Sequence, residues 1–167
     1  MRGSLYDYFA KDHRRLEELL QKATSLSQGY DMTAYAQFRT GLLRHIRMEE
    51  TILLPAAQKA RGGVPLDIAG KIRLDHGALT ALMVPPPSRM IIGALRSILA
   101  NHDLLEEQPS GMYDKLEELT GEEIEALVER ARATPDVPVH PHNDAPFILD
   151  ATRRALARAG YNLDEYA

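Results

Sequence analysis

The 167-residue sequence has no cysteine and no tryptophan, and aromatic residues make up only 6% of it. Without cysteine, the chain cannot form disulfides, thiolate metal sites or a cysteine nucleophile. The formal net charge is −4, and no cluster of Lys and Arg occurs, so we expect no nucleic-acid partner. No run of about eighteen uncharged apolar residues is present, so we expect no membrane segment and a cytoplasmic protein.

Runs of alternating β-branched residues are also missing, and apolar residues recur instead at helical spacing. This spacing predicts four long helices, at about residues 4–27, 33–60, 66–83 and 88–107, the second interrupted at Pro55. We therefore predict an all-α fold: an antiparallel, up-down-up-down four-helix bundle with a C-terminal helical extension.

The sequence after the fourth helix is more irregular. A short acidic segment leads to residues 120–123, which resemble a capping box that opens a fifth helix over residues 121–133. A connector with four prolines follows, and a last helix is expected over residues 146–159, ending at Gly160. We divide the chain into a bundle domain, 1–133, and a Pro-rich connector with its helix, 134–167. This tail either packs back on the bundle or contacts a protein partner, and the sequence does not identify such a partner.

An internal repeat places one histidine near the middle of each of the four long helices. Along the chain the order is His, His-x-x-x-Glu, His, His-x-x-x-Glu, so the second half of the predicted bundle repeats the first. The residues concerned are His13, His45, Glu49, His76, His102 and Glu106. Residues four apart share one helical face, and the neighbours of both His–Glu pairs are apolar, which places these polar groups toward the core.

Burying two carboxylates and four imidazoles without compensation would cost several kcal/mol per charge. A pair of metal ions would supply the compensation, with both carboxylates bridging the ions and two histidines on each. Imidazole and carboxylate ligands with open positions suit iron, and also manganese or zinc. The ferritin-like arrangement requires Glu three residues before His, and none of the four histidines has one.

The segments DHRRLEELL, RHIRMEETILLP, LDHGALTAL and NHDLLEE resemble the hemerythrin-like (HHE cation-binding) family, whose pattern is H…HxxxE…H…HxxxE on an antiparallel four-helix bundle. The resemblance covers about residues 4–120. It implies a non-haem centre of two iron ions with a bridging oxo or hydroxo group. It further implies four terminal ligands, His13, His45, His76 and His102. It also implies two bridging carboxylates, Glu49 and Glu106.

Two positions depart from the oxygen-carrying members of that family. Those proteins have a further histidine one turn after the position of His76, where this chain has Thr80. Four histidines instead of five leave one iron more open and argue against reversible O2 carriage. The last carboxylate of the carriers corresponds to Glu107 in this chain; symmetry with Glu49 favours Glu106, and Glu107 is the alternative bridge.

We accordingly expect a protein that binds or senses O2, peroxide or nitric oxide at an open iron position, rather than an enzyme, and we assign no catalytic residue. The alternative is a di-iron oxidase or peroxidase, or a protein that donates iron or repairs nitrosative damage. Glu107 or Tyr6 would then supply the proton. A third reading treats the metal ions as purely structural.

Four other residues have open roles. Asp12 and Asp75, each just before a predicted ligand, either accept hydrogen bonds from ligand N–H groups on a neighbouring helix or form salt bridges at the surface. His140 and His142 lie in the proline-rich connector, where we expect a solvated loop.

Overall fold

The computed structural model describes residues 2–167, and over that range the chain forms eight α-helices and no strand. They are α1 (Ser4–Ala23), α2 (Met32–Met48), α3 (Leu54–Ala60), α4 (Ala69–Leu82), α5 (Arg89–Glu107), α6 (Met112–Thr120), α7 (Ile124–Arg132) and α8 (Pro146–Ala159). A π-helical segment, Glu49–Leu53, joins α2 to α3, and short 3-10 segments occupy Gly121–Glu123 and Leu163–Tyr166. The predicted all-α class is confirmed. Among these helices, none is both long and apolar enough to cross a membrane.

The chain divides into two compact units. The first unit contains residues 2–67 and Glu106–Val139, and the second contains Ile68–Leu105 and His140–Ala167. Helix α5 therefore belongs mainly to the second unit, and only its last two residues, Glu106 and Glu107, belong to the first unit. The domain boundary after residue 133 stays a prediction.

Helix α1 carries the apolar stripe expected from its sequence. Leu5, Phe9, Leu16 and Leu20 are all buried, because their spacing of four or seven residues keeps them on one face. Helix α2 begins where the carboxylate of Asp31 accepts hydrogen bonds from two otherwise unpaired backbone N–H groups of the first turn. The first two histidines of the repeat are buried as well, His13 near the middle of α1 and His45 in the last turn of α2.

The second predicted helix changes type where the sequence predicts a break at Pro55. At the end of the π-helical segment, the N–H of Leu54 donates to the carbonyl of Glu49, five residues earlier. Pro55 is in the first turn of α3 and has no N–H to donate, so the missing hydrogen bond falls at a helix start, where proline is tolerated. The irregular stretch therefore begins at Glu49 itself, a predicted ligand, and not beyond the site.

Residues 112–120, expected to be a short acidic connection, form helix α6. Its buried residues, Met112, Tyr113, Leu116 and Thr120, lie on one helical face. The predicted capping box at 120–123 is wrong, because Thr120 ends α6 and its hydroxyl donates to the carbonyl of Leu116 at 2.7 Å. Helix α7 starts later, at Ile124, after a 3-10 turn.

In the second unit, the C-terminal helix α8 packs against α4. The ammonium group of Lys71 on α4 donates to the carbonyl of Ala159 at the end of α8, at 2.7 Å. Leu156 of α8 is completely buried. Gly160 follows with a φ of +91°, a left-handed conformation that glycine adopts easily and that ends the helix. The predicted helix over residues 146–159 is confirmed.

Candidate metal centre

Four residues of the repeat come together inside the first unit. His13 projects from α1, His45 from α2, Glu49 from the start of the π-helical segment, and Glu106 from the end of α5. One nitrogen or oxygen atom of each side chain lies within 4.8 Å of the others, and none of the four residues is more than 5% exposed. These four residues, called the donor cluster below, are positioned to hold a metal ion.

The closest distances within the donor cluster are all near 3 Å. His13 Nε2 lies 3.0 Å from His45 Nε2 and 3.1 Å from Glu106 Oε2. His45 Nε2 lies 3.0 Å from Glu49 Oε1. Because Glu49 and His45 are four residues apart, the helix itself brings their side chains together, whereas the other contacts require tertiary packing.

Both histidines of the donor cluster turn their second nitrogen away from it, toward a carboxylate. His45 Nδ1 lies 2.8 Å from Asp12 Oδ2, and His13 Nδ1 lies 3.0 Å from Glu107 Oε2. An ionised carboxylate only accepts hydrogen bonds, so the ring hydrogens reside on Nδ1. The Nε2 lone pairs therefore face the donor cluster, as in histidines that bind metals.

The pKa values of the two outer carboxyl groups agree with this assignment. The hydrogen bond from His13 holds the pKa of Glu107 below its ordinary value, although partial burial acts in the opposite direction. Burial alone would raise the pKa of Asp12, but hydrogen bonds and charge from His45 and Arg15 lower it. Both groups therefore remain ionised acceptors at neutral pH.

The donor cluster itself has an excess of negative charge and lone pairs. Burial disfavours the charged form of His45, yet the charge of Glu49 and the hydrogen bonds that His45 donates to Asp12 and Glu49 raise the pKa of His45 to about 9. In the absence of a metal, a proton on His45 is thus the cation that balances the carboxylates at neutral pH. A bound metal ion would replace this proton.

A further residue, Tyr113 of α6, lies among the donor atoms and was not predicted. Its hydroxyl oxygen is 2.7 Å from Glu49 Oε1, 3.0 Å from Glu106 Oε2, 3.1 Å from His13 Nε2 and 3.4 Å from His45 Nε2. Tyr113 is completely buried. The helical spacing of Tyr113, Leu116 and Thr120 in MYDKLEELT was the signal that could have placed this side chain on a core-facing helix.

The two consecutive glutamates at the end of α5 have different positions. Glu106 is completely buried and belongs to the donor cluster, whereas Glu107 is 22% exposed and contacts the opposite edge of the His13 ring. Tyr6 donates a hydrogen bond to Glu107 at 3.2 Å. Glu107 and Tyr6, the candidate proton donors, are thus separated from the donor cluster by the imidazole of His13.

In the second unit, His76 of α4 and His102 of α5 form a buried pair, with ring centroids 4.8 Å apart. His102 Nδ1 lies 3.4 Å from Asp75 Oδ2, and the other oxygen of Asp75 accepts a hydrogen bond from Lys71 at 2.6 Å. Asp75 therefore contacts His102 as Asp12 contacts His45. Each aspartate therefore contacts a histidine of the neighbouring helix and also forms a salt bridge with a cation of its own helix, Arg15 for Asp12 and Lys71 for Asp75.

The remaining positions of interest lie elsewhere. Thr80 is exposed. His140 is exposed too, and His142 Nδ1 lies 3.3 Å from the carbonyl oxygen of Val84. Neither histidine belongs to a buried group of potential ligands in the part of the chain that the structure describes.

No protein-family model matches the chain, and no curated protein or solved structure matches it either. What the centre does must therefore be inferred from its donor atoms and from the repeat in the sequence.

Proposed function

We propose that this chain is a non-haem iron protein of the hemerythrin-like kind, an antiparallel four-helix bundle that binds or senses O2, peroxide or nitric oxide. The observation that supports it best is the arrangement of His13 and His45. Both rings are held by carboxylates at Nδ1, so both Nε2 lone pairs face the buried carboxylates of Glu49 and Glu106. Four converging acceptors require a cation, and the buried position favours a dehydrated metal ion.

The donor types restrict the choice of metal. Two imidazoles and two carboxylates suit iron, manganese or zinc, and the absence of cysteine removes the thiolates that favour softer ions. Among the three metals we propose iron, because the resemblance to hemerythrin-like proteins implies it. Iron supplies a reversible change between two oxidation states and an exchangeable coordination position.

The sequence repeat supports a second ion at His76 and His102. These histidines occupy the places in the second half of the repeat that His13 and His45 occupy in the first, and Asp75 contacts His102 as Asp12 contacts His45. We propose that His76 and His102 bind this second ion.

Burial limits the size of any external ligand. The donor cluster is at most 5% exposed, and the ring of Phe9 lies edge-on to His45 with centroids 5.5 Å apart. A diatomic molecule or peroxide could reach such a centre by small local motions, whereas a larger organic substrate would have to displace core side chains. This restriction favours binding or sensing over oxidation of a bulky substrate.

The test is metal analysis and optical spectroscopy of the purified full-length protein. We expect two iron ions per chain and charge-transfer bands that change on reduction with dithionite and again on addition of O2 or nitric oxide. Zinc as the native metal, or no bound metal, would contradict the proposal, and one iron would contradict its dinuclear part. Sustained consumption of hydrogen peroxide would favour the enzyme alternative.

A further inference from the structure

The hydroxyl oxygen of Tyr113 and the four donor atoms of the donor cluster are separated by similar distances. Consecutive contacts from Glu106 through His13 and His45 to Glu49 measure 3.1, 3.0 and 3.0 Å. The Tyr113 oxygen lies 2.7 to 3.4 Å from all four atoms. Seven of the eight edges of a square pyramid with the tyrosine oxygen at its apex therefore measure between 2.7 and 3.4 Å.

These distances match the spacing of donor atoms around an octahedral ion. When metal–ligand bonds are about 2.1 Å long, adjacent donor atoms lie roughly 3.0 Å apart. A tetrahedral ion with the same bond length would separate its donors by about 3.4 Å, and it would not accept a fifth donor. The arrangement thus corresponds to five corners of an octahedron.

Hydrogen bonding alone does not account for this arrangement of the five atoms. A tyrosine hydroxyl carries one hydrogen and can donate it to only one of the four surrounding atoms. The Nε2 atom of His13 presents a lone pair, because its ring hydrogen is committed to Glu107, and the extra proton of metal-free His45 faces Glu49. In a buried site, such a gathering of five polar atoms around two protons would be unfavourable, and a metal ion relieves it.

We propose that Tyr113 is the fifth protein ligand of the metal ion in the donor cluster and binds as a phenolate. This inference rests on the proposed function, since it needs the metal. When the ion binds, the bond from metal to oxygen forms and the O–H bond breaks, and the proton passes to the buffer. As a hard anionic oxygen, the phenolate favours iron(III) over iron(II).

Coordination by Tyr113 has a consequence for the place where a small molecule binds. Five protein donors would leave at most one position on an octahedral ion for anything else. Fewer protein donors would hold the ion proposed at His76 and His102, because Thr80 stands where the oxygen carriers have a further histidine. The external ligand is therefore expected at that second ion.

The experiment is resonance Raman spectroscopy of the iron(III)-loaded, full-length protein, excited within its visible absorption. The wild-type protein should show a phenolate-to-iron(III) band with enhanced tyrosine ring modes, and these modes should shift when the protein is made with ring-deuterated tyrosine. Tyr113→Phe should lose the band and retain bound iron. Tyr6→Phe, which removes a hydroxyl that contacts Glu107 outside the donor cluster, should keep it.

Each result decides a different point. Bound iron(III) without tyrosine modes in the wild-type protein would overturn the ligand assignment and leave the proposed function standing. Loss of the band in Tyr6→Phe but not in Tyr113→Phe would overturn it as well. A wild-type protein that binds no metal would overturn both proposals. The isotope shift requires no substitution, so it decides the matter even where Tyr113→Phe does not fold.

Discussion

Asp12 and His45 lie on adjacent helices of the first unit, and Asp12 Oδ2 accepts a hydrogen bond from Nδ1–H of His45 at 2.8 Å. This contact fixes which nitrogen of the ring carries the hydrogen and which faces the donor cluster. A second contact, from Arg15 to the other oxygen of Asp12, also at 2.8 Å, holds the carboxylate in place. Asp12, which is only partly buried, thus sets the orientation of the buried imidazole of His45.

Asp12→Ala should lower the affinity for metal by about 10- to 100-fold, because His45 would lose the partner that fixes its tautomer and increases its basicity. Competition with a chromogenic chelator measures the affinity. Asp7→Ala is the matched control: it removes an exposed carboxylate from the same helix. Equal affinities of the two variants would show that Asp12 has no role in orienting the ligand.

His45→Ala should remove most of the bound metal, since it deletes one donor and leaves a gap beside Glu49. His140→Ala should leave the metal content unchanged, because His140 is exposed in the connector before α8. The measurement is elemental analysis of the two variants after gel filtration. A similar loss of metal in both would mean that the donor cluster is not the binding site.

Glu106 and Glu107 make a second matched pair, because they are chemically identical neighbours. Glu106→Ala should abolish metal binding at the donor cluster, whereas Glu107→Ala should weaken it by about 10- to 100-fold through the loss of the hydrogen bond to His13. Isothermal titration of the metal-free proteins separates the two cases. A greater loss in Glu107→Ala would make Glu107 the ligand.

Metal binding should release a proton and become tighter as pH rises. The pKa of His45 in the metal-free protein is raised to about 9, above its ordinary 6.5, so its protonated form stabilises the metal-free fold fully below pH 6.5. That contribution is lost as the pH rises through about 9. Because the ligand must be neutral, loss of the His45 proton alone should increase metal affinity by about tenfold per pH unit between these values, and the proton released by Tyr113 should make the increase steeper.

Two measurements check this dependence. Thermal unfolding with and without metal should show a stabilisation by metal that widens from pH 6.5 to pH 9. Calorimetric titrations at neutral pH in buffers of different ionisation enthalpy should show the released proton directly. A stabilisation that is constant over this interval would contradict the assignment of His45 as a ligand.

The sequence predicted those parts of the centre that are encoded within single helices. His45 and Glu49 are four residues apart, and this spacing alone brings their side chains together. His13 and Glu106 come from other helices, yet the repeat indicated them, since each half of the sequence carries the same pattern. Local periodicity also predicted the helices that bear these residues, and it predicted α8 over its whole length.

The features that the sequence did not reveal depend on tertiary contacts. Tyr113 reaches the donor cluster from α6, a helix of nine residues whose charged positions suggested a connection. The pattern at 120–123 looked like a helix start, but Thr120 was already part of a helix and used its hydroxyl on the carbonyl of Leu116. A short polar motif is compatible with more than one local backbone structure, and packing of the neighbouring apolar residues selects between them.

The π-helical segment makes the backbone that carries Glu49 easier to deform than a regular α-helix. Leu54 reaches back five residues to the carbonyl of Glu49, and Pro55 offers no amide hydrogen to reinforce the next turn. Segments with weakened backbone hydrogen bonding open at a lower free energy than the regular helix around them. We therefore expect the carboxylate of Glu49 to move more readily than it would on a regular helix, so that an ion can enter or leave while α1 and α2 stay intact.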